Sequence, residues 1–345
     1  MTSARVRIGV VGLGYWGPNL VRNLYELPEA DVTWACDERI EAFERISRRY
    51  PTVRHATDLD RLLDDPALDA VALATPVSTH YELARRALDA GKHVFVEKPL
   101  AGSSEEAVRL AELAESRGLV LMPGHTFLYS PPVNKIAELI AAGELGQIYS
   151  ISTSRVNLGL HQPDVSVVWD LAPHDFSILR FWLGELPTYV SATSRGCIIP
   201  DIPDVAFVNL EFPSQTIAHA ELSWLAPSKL RRTTVIGSRK MVVYDDMSAE
   251  PVRLFDSGVT LRDPETFGEY RLSYRTGDIV SPRVDAAEPL YLELADFCAA
   301  IIDGTTPRSS AEVGVDVVRM IEAVDASLER DSARIRVEGS RTAVR

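Results

Sequence analysis

Cysteine is scarce in this chain. Three occur in 345 residues, Cys36, Cys197 and Cys298, far apart and with neither a CxxC pair nor a Cys/His spacing that suits a metal. That scarcity argues against a disulfide framework and a structural or catalytic metal, and a reducing, cytoplasmic setting is the expectation. Basic charge is also in deficit: Lys and Arg number 36 against 49 Asp and Glu, leaving a net charge of −13 spread along the chain. A phosphate backbone binds to a basic surface, so nucleic acid is not an expected partner. No run approaches the ~18 apolar residues of a membrane span, and Met1-Thr-Ser-Ala-Arg-Val lacks the apolar core of a secretory signal. No membrane partner is expected either. Repeats and low-complexity segments are absent.

What is present is ordinary globular composition, 46% hydrophobic and 25% charged, in a length that suits two domains of roughly 100–200 residues each. The first 123 residues alternate short apolar runs with helical patterns. Val6–Val11, Asp31–Cys36, Leu68–Ala74, Lys92–Val96 and Leu119–Met122 read as strands. Helices are expected over Pro18–Leu27, Glu38–Tyr50, Thr79–Ala90 and Ser103–Arg117, the last two closed by Gly91 and Gly118. Near-continuous apolar strands alternating with helices specify a doubly wound parallel sheet covered on both faces, an α/β Rossmann architecture.

The first strand runs into Gly12-Leu13-Gly14-Tyr15-Trp16-Gly17, a G-x-G-x-x-G that opens the first helix, and Asp37 follows 20 residues beyond Gly17 at the end of the second strand. Each part has a mechanical reason. Gly12 permits the tight turn, Gly14 lets the backbone approach a pyrophosphate, and Gly17 lets the helix pack on the strand, with the helix N-terminus facing the phosphates. Asp37 would accept hydrogen bonds from the adenosine ribose and repel a 2′-phosphate, which favours NAD. Arg39 could serve a 2′-phosphate, which leaves NADP open. In open α/β sheets ligands bind outside the carboxyl ends of the strands. Two such ends carry Thr75-Pro76 with His80, and Glu97-Lys98-Pro99.

These motifs, together with Gly124-His125 through Pro131 and Asp170-Leu-Ala-Pro-His174-Asp175, resemble the glucose–fructose oxidoreductase / inositol dehydrogenase / rhizopine-catabolism (Gfo/Idh/MocA) family. The resemblance covers about the first 185 residues with motifs. It implies a Rossmann domain over 1–123 and an α+β domain over 124–345 with a large, open, mainly antiparallel sheet. It also implies NAD(P)-dependent oxidation or reduction of a sugar, cyclitol or related alcohol, and homo-oligomers, dimer or tetramer, formed through that sheet. The cofactor contacts it implies are Gly12, Gly14, Tyr15, Trp16, Gly17, Asp37, Thr75, Pro76, His80, Glu97 and Lys98.

The second half agrees on its own pattern. After a helix over Pro131–Ala142, strand-like segments cover Gln147–Val156, Thr188–Ser194, Ala206–Phe212, Thr216–Leu225, Thr233–Ile236 and Lys240–Tyr244, with a turn at Gly237-Ser238. Ala218, Ala220, Leu222 and Trp224 would share one face. Helices over Glu288–Ile302 and Ala311–Glu329 close the chain.

Hydride transfer needs a group that moves the hydroxyl proton. Asp170 and His174 are four apart and share a helix face, with Pro173 harmless if the helix starts near Asp170. On spacing alone they read as a helix-start carboxylate and a capping histidine. The resemblance implies that His174 is the acid/base, Lys98 an electrostatic and proton-relay partner, and Asp170 the group that orients the substrate hydroxyl and the imidazole. Asp175 reads as a first-turn acid favoured by the helix dipole. Trp169 suits either a nicotinamide neighbour or core, and His125 either a site wall or a hydrogen-bonded structural residue.

Ser154-Arg155-Val-Asn157-Leu-Gly159 resembles the subgroup acting on nucleotide-linked sugars at C3, which would make Arg155 and Asn157 substrate-binding with Lys98, Asp170 and His174. Arg155 reads equally as half of a structural ion pair. An inositol dehydrogenase and a 3-keto-sugar reductase use the same chemistry. A non-catalytic NAD(P)-binding regulator is the alternative of another class, for which a catalytic lysine, aspartate and histidine have no physical need.

Overall fold

A computed structural model describes residues 5–159, 161, 165–262 and 271–339. They form two compact units. The first takes the chain up to Tyr129 together with Ala287–Arg319, and the second takes Ser130–Ala286 and the chain from Met320 onward.

Along the first unit run β1 (Val6–Val11), α1 (Gly17–Glu26), β2 (Ala30–Cys36), α2 (Phe43–Arg49), β3 (Arg54–Ala56), α3 (Asp60–Leu63), β4 (Ala70–Leu73), α4 (Val77–Asp89), β5 (His93–Glu97), α5 (Ser104–Arg117) and β6 (Leu121–Gly124). The strands pair in parallel in the order β3-β2-β1-β4-β5-β6. Every residue of β4, and Val94, Phe95 and Val96 of β5, is fully enclosed, as strands covered on both faces must be. Chain order reverses between β1 and β4, and the ends of β1, β4 and β5 open on that reversal, where α/β sheets take their ligands.

The sequence pattern did not reveal β3 and α3. β3 has three residues and begins with an exposed arginine, too short for an apolar alternation to register. The helix expected over Glu38–Tyr50 begins as a single 3₁₀ turn at Ile40–Ala42 before α2.

The second unit contains α6 (Pro131–Ala141), β7 (Ile148–Leu158), α7 (Val167–Leu183), β8 (Tyr189–Arg195), β9 (Val205–Glu211), β10 (Ile217–Ser223), β11 (Leu225–Gly237), β12 (Met241–Asp245), β13 (Val252–Arg262) and β14 (Arg271–Val280). The chain then gives α8 (Pro289–Asp303) to the first unit, enters α9 (Ala311–Leu328), and ends its described part with β15 (Ile335–Arg336). The nine strands lie in the order β14-β13-β12-β11-β7-β10-β9-β8-β15. Only the β7–β10 pair is parallel, so the sheet is mainly antiparallel. Ala218, Ala220 and Leu222 are buried on one face of β10, while His219 and Glu221 face the other way. α7 packs on this sheet through β7, β9 and β10, burying Phe176 and Leu179. The β13–β14 hairpin at the sheet edge was not anticipated, because its arginines and aspartates break any apolar alternation.

α7 starts at Val167, three residues before Asp170. Pro173 therefore lies in the second turn, where it removes the amide that would otherwise bond the Trp169 carbonyl; the helix tolerates it as one lost bond. Across the sheet Tyr149, Phe207, Ile217, Val259 and Tyr274 remain exposed. No helix among the described residues is long and apolar enough to cross a membrane.

Candidate active site

The cofactor cradle is built at the β1–α1 turn. Gly12 has φ +87°, and a Cβ there would stand 2.5 Å from the Ala74 carbonyl oxygen. A Cβ on Gly17 would stand 1.9 Å from the Gly12 carbonyl oxygen, so the helix starts where only a bare Cα fits. Gly14 differs: nothing lies within 4 Å of the Cβ it lacks. The loop is thus closed on the protein side and open at its middle, which suits a pyrophosphate lying against the backbone. No side chain caps the start of α1, and its N-terminal dipole faces that opening. Tyr15 (82% exposed) and Trp16 project from the loop and meet edge to face.

Asp37 lies beside this loop at the end of β2. Its Oδ2 accepts the Leu13 N–H at 2.7 Å, and its Oδ1 accepts the Arg39 N–H at 2.9 Å and Arg39 Nε at 3.0 Å. Burial works against its charge, but the Arg39 side chain and the two backbone donors outweigh burial and hold the carboxyl below its usual range.

At the end of β4, the Thr75 hydroxyl accepts from Thr79 Oγ1 at 2.8 Å, and Pro76 precedes α4 at the surface. His80 is enclosed. Its Nδ1 is 2.8 Å from the Pro99 carbonyl and its Nε2 is 2.9 Å from the Thr75 carbonyl. Burial foremost, with Lys98 adding to it, keeps this ring less basic than usual. The side chain braces the loops after β4 and β5 against each other.

Lys98 follows β5 and is half-buried. Glu97 before it is buried, and burial pushes its carboxyl up to about 7. His125, one residue beyond β6, is fully buried with no hydrogen-bond partner on either ring nitrogen, and burial lowers it to about 3. It is therefore an uncharged ring, and neither of the two expectations for it, a wall of the site or a hydrogen-bonded structural residue, describes its buried, unbonded state.

In the second unit α7 carries Asp170 and His174 one turn apart, both half-buried. Asp170 Oδ2 accepts the Trp224 indole N–H at 3.1 Å. Trp224 is fully buried at the junction of β10 and β11, and His161 meets its ring edge-on with centroids 5.3 Å apart. Trp224 was expected only as the last member of a strand face. Its position after the alternating run, where the strand breaks, is the signal that sets it apart. Trp169 donates its indole N–H to Asp325 of α9 at 2.7 Å. Asn157 is half-buried near the end of β7.

Arg155, on β7, is 4% exposed and places Nε and Nη2 on the two oxygens of Asp175 at 3.1 and 2.9 Å. Of the two readings open for Arg155, this geometry supports the ion pair. Asp175 is accordingly not a helix-dipole acid at the surface but the buried carboxylate that holds β7 to α7.

A model of the oxidoreductase family with NAD-binding Rossmann fold matches residues 6–125, and a model of the GFO/IDH/MocA C-terminal domain matches residues 133–243. The chain belongs to the Gfo/Idh/MocA oxidoreductase family. Its first unit is the NAD-binding domain of that family, and the glycine loop and Asp37 described above are the parts suited to hold the dinucleotide. Among its relatives is a scyllo-inositol 2-dehydrogenase (NAD⁺) of Bacillus subtilis, 30% identical over 317 residues that cover 88% of each chain. An uncharacterized oxidoreductase of Streptococcus pneumoniae is 30% identical over 234 residues, which span 63% of this chain and 62% of that protein. The solved structure of GenD2 from gentamicin A biosynthesis in complex with NAD has the same fold, with a TM-score of 0.82, 25% identity and 98% of each chain covered.

Two tests follow from this geometry. Arg155→Met leaves Asp175 as an unpaired buried charge and is expected to cost about 3–5 kcal/mol in denaturant unfolding. Pairing it with Asp175→Leu should recover most of that loss; a Michaelis-constant change without lost stability would instead make Arg155 a substrate ligand. His125 governs acid stability. As pH falls from about 6.5, the unfolded chain takes up a proton that folded His125 refuses down to about 3. Stability should fall across that window by up to about 1.4 kcal/mol per pH unit from this group, and the fall should be shallower in His125→Leu.

Proposed function

We propose that this protein is an NAD-dependent dehydrogenase acting on a secondary alcohol of a sugar or cyclitol ring. The observation that carries the reading is the Asp170–His174 pair on α7, with Asp170 fixed by a buried indole N–H. A helix-start carboxylate serving only its own helix needs no such donor. Bound NAD supplies the hydride acceptor, and the protein supplies the proton chemistry. His174 takes the hydroxyl proton as the general base. Asp170, pinned by Trp224, orients the substrate hydroxyl and the imidazole. Lys98 presents a cation to the reacting oxygen and favours the charge that develops on it.

The finer reading, oxidation at C3 of a nucleotide-linked sugar, draws on Asn157 together with Asp170 and His174. The pairing of Arg155 Nε and Nη2 with Asp175 weighs against a part for Arg155 in it. A cyclitol is the second reading, and the relative named scyllo-inositol 2-dehydrogenase (NAD⁺) favours it. The homo-oligomer and the cytoplasmic setting belong to the proposal as well. The exposed apolar side chains of the second unit's sheet, Tyr149, Phe207, Ile217, Val259 and Tyr274 among them, support the homo-oligomer, and the three free cysteines support the cytoplasmic setting.

NADH formation followed at 340 nm with inositols, free hexoses and UDP-linked N-acetylhexosamines and their uronates tests the substrate. Turnover on UDP-sugars supports the C3 reading, and turnover on inositols alone supports the cyclitol. Lys98→Ala and His174→Ala should each lower kcat at least a hundredfold, and in His174→Ala NAD binding, read by calorimetry, should stay within about twofold. Unchanged kcat in both would remove these residues from the chemistry. Asp37→Ser, which takes the carboxylate from the ribose end and releases Arg39, should raise the NADP-to-NAD ratio of kcat/KM by at least tenfold.

A further inference from the structure

Around the base of Lys98 the first unit encloses more ionisable groups than proton transfer to the substrate employs. Glu97 ends β5, and its register partner on β6 is Gly124, where a Cβ would come within 3.2 Å of Glu97 Oε2. The missing side chain leaves the space that the carboxyl occupies. Glu293 comes from α8 and is completely enclosed; its Oε2 accepts from Thr126 Oγ1 at 2.7 Å, and its charge is opposed by that of Glu97. His125 sits between Gly124 and Thr126 in the chain and lies in the field of Lys98. Glu97 Oε1, Glu293 Oε1 and both ring nitrogens of His125 are enclosed without a hydrogen bond. The remaining charged group facing this cluster is Asp296, whose Oδ2 accepts the Tyr129 hydroxyl at 2.6 Å and the Arg308 N–H at 2.8 Å.

Two carboxyls enclosed against the same Gly124–Thr126 segment, one of them next to Lys98 in the chain, cannot both remain ionised. Protonating one of them leaves a net charge that the lysine balances, and it turns an enclosed acceptor into a donor. We propose that Glu97 and Glu293 hold one proton between them, and that this carboxyl pair fixes the position of the Lys98 ammonium. They are positioning residues, acting on substrate only through Lys98. Burial pushes both upward, Glu97 to about 7 and Glu293 well above the usual carboxylate range. At neutral pH the pair therefore carries fewer than two negative charges, as coupled acids do. His125, held neutral by burial and by Lys98, adds no competing charge. Glu293 also stands where a leucine would be expected, on the buried face of α8 with Leu290, Leu294 and Phe297.

The catalytic meaning of the pair rests on the proposed part of Lys98, but its existence is tested without substrate. Infrared difference spectra of the full-length protein, titrated from about pH 5 to 9, report protonated carboxyls through their C=O stretch. A band that persists at neutral pH is expected, weakened in Glu293→Gln and moved at least one pH unit higher in Lys98→Met, where the neighbouring cation is gone. Absence of the band, or a band indifferent to both Glu293→Gln and Lys98→Met, overturns the proposal. If Glu293→Gln does not fold, the response to Lys98→Met decides. A protein that passes these tests and still forms no NADH on any alcohol tells against the proposed function and leaves the pair standing.

Discussion

The first unit depends on a contact that permits no side chain. The Gly12 carbonyl oxygen lies where a Cβ on Gly17 would be, so β1 turns into α1 at a distance that only glycine allows. That closeness brings the start of α1, uncapped by any side chain, up to the strand end and leaves Gly14 facing open space. It also presents the Leu13 amide to Asp37. The turn, the helix end and the acidic residue at β2 are thus a single mechanical unit, and the sheet order places it where chain direction reverses.

Much of this was legible in the amino-acid sequence because it is local. Apolar runs of four to six residues, glycines at helix ends and the glycine loop with Asp37 report on neighbours along the chain, and the strands and helices they mark are present within a few residues. The large antiparallel sheet was legible through its alternating central strands, as at Ala218, Ala220 and Leu222. β3 and the β13–β14 hairpin escaped, the first too short to show a period and the second too charged. Side-chain partnerships across long separations escaped for a different reason. Trp224 is 54 residues from Asp170, and Glu293 is 167 from Thr126; no pattern in the chain couples such positions. Arg155 could be read either way until Asp175, 20 residues on, was seen to meet it.

The protein handles its buried carboxylates in three ways. Asp175 is matched by a full guanidinium. Asp204 is surrounded by backbone, accepting the amides of Cys197 and Ile198, with His161 at 3.5 Å, and despite burial it is held below the usual carboxylate range. Glu97 and Glu293 have neither a dedicated cation nor a ring of amides, and burial drives both upward. Only the last arrangement keeps a proton within the range where enzymes work. It includes the residue that ends β5, next to Lys98 in the chain.

The Asp37–Leu13 bond carries a consequence for how this protein can change. One carboxylate anchors the glycine loop and, in the reading proposed for it, also meets the ribose, so the two properties cannot be altered separately by replacing that residue. A lineage drifting toward the phosphorylated dinucleotide by losing Asp37 would also loosen the loop that grips either cofactor. Such a drift calls for a second change that holds Leu13 in place, and the order of the two steps matters. Discrimination between dinucleotides is in this sense tied to the stiffness of the loop, and weakly selective intermediates would also be weak binders.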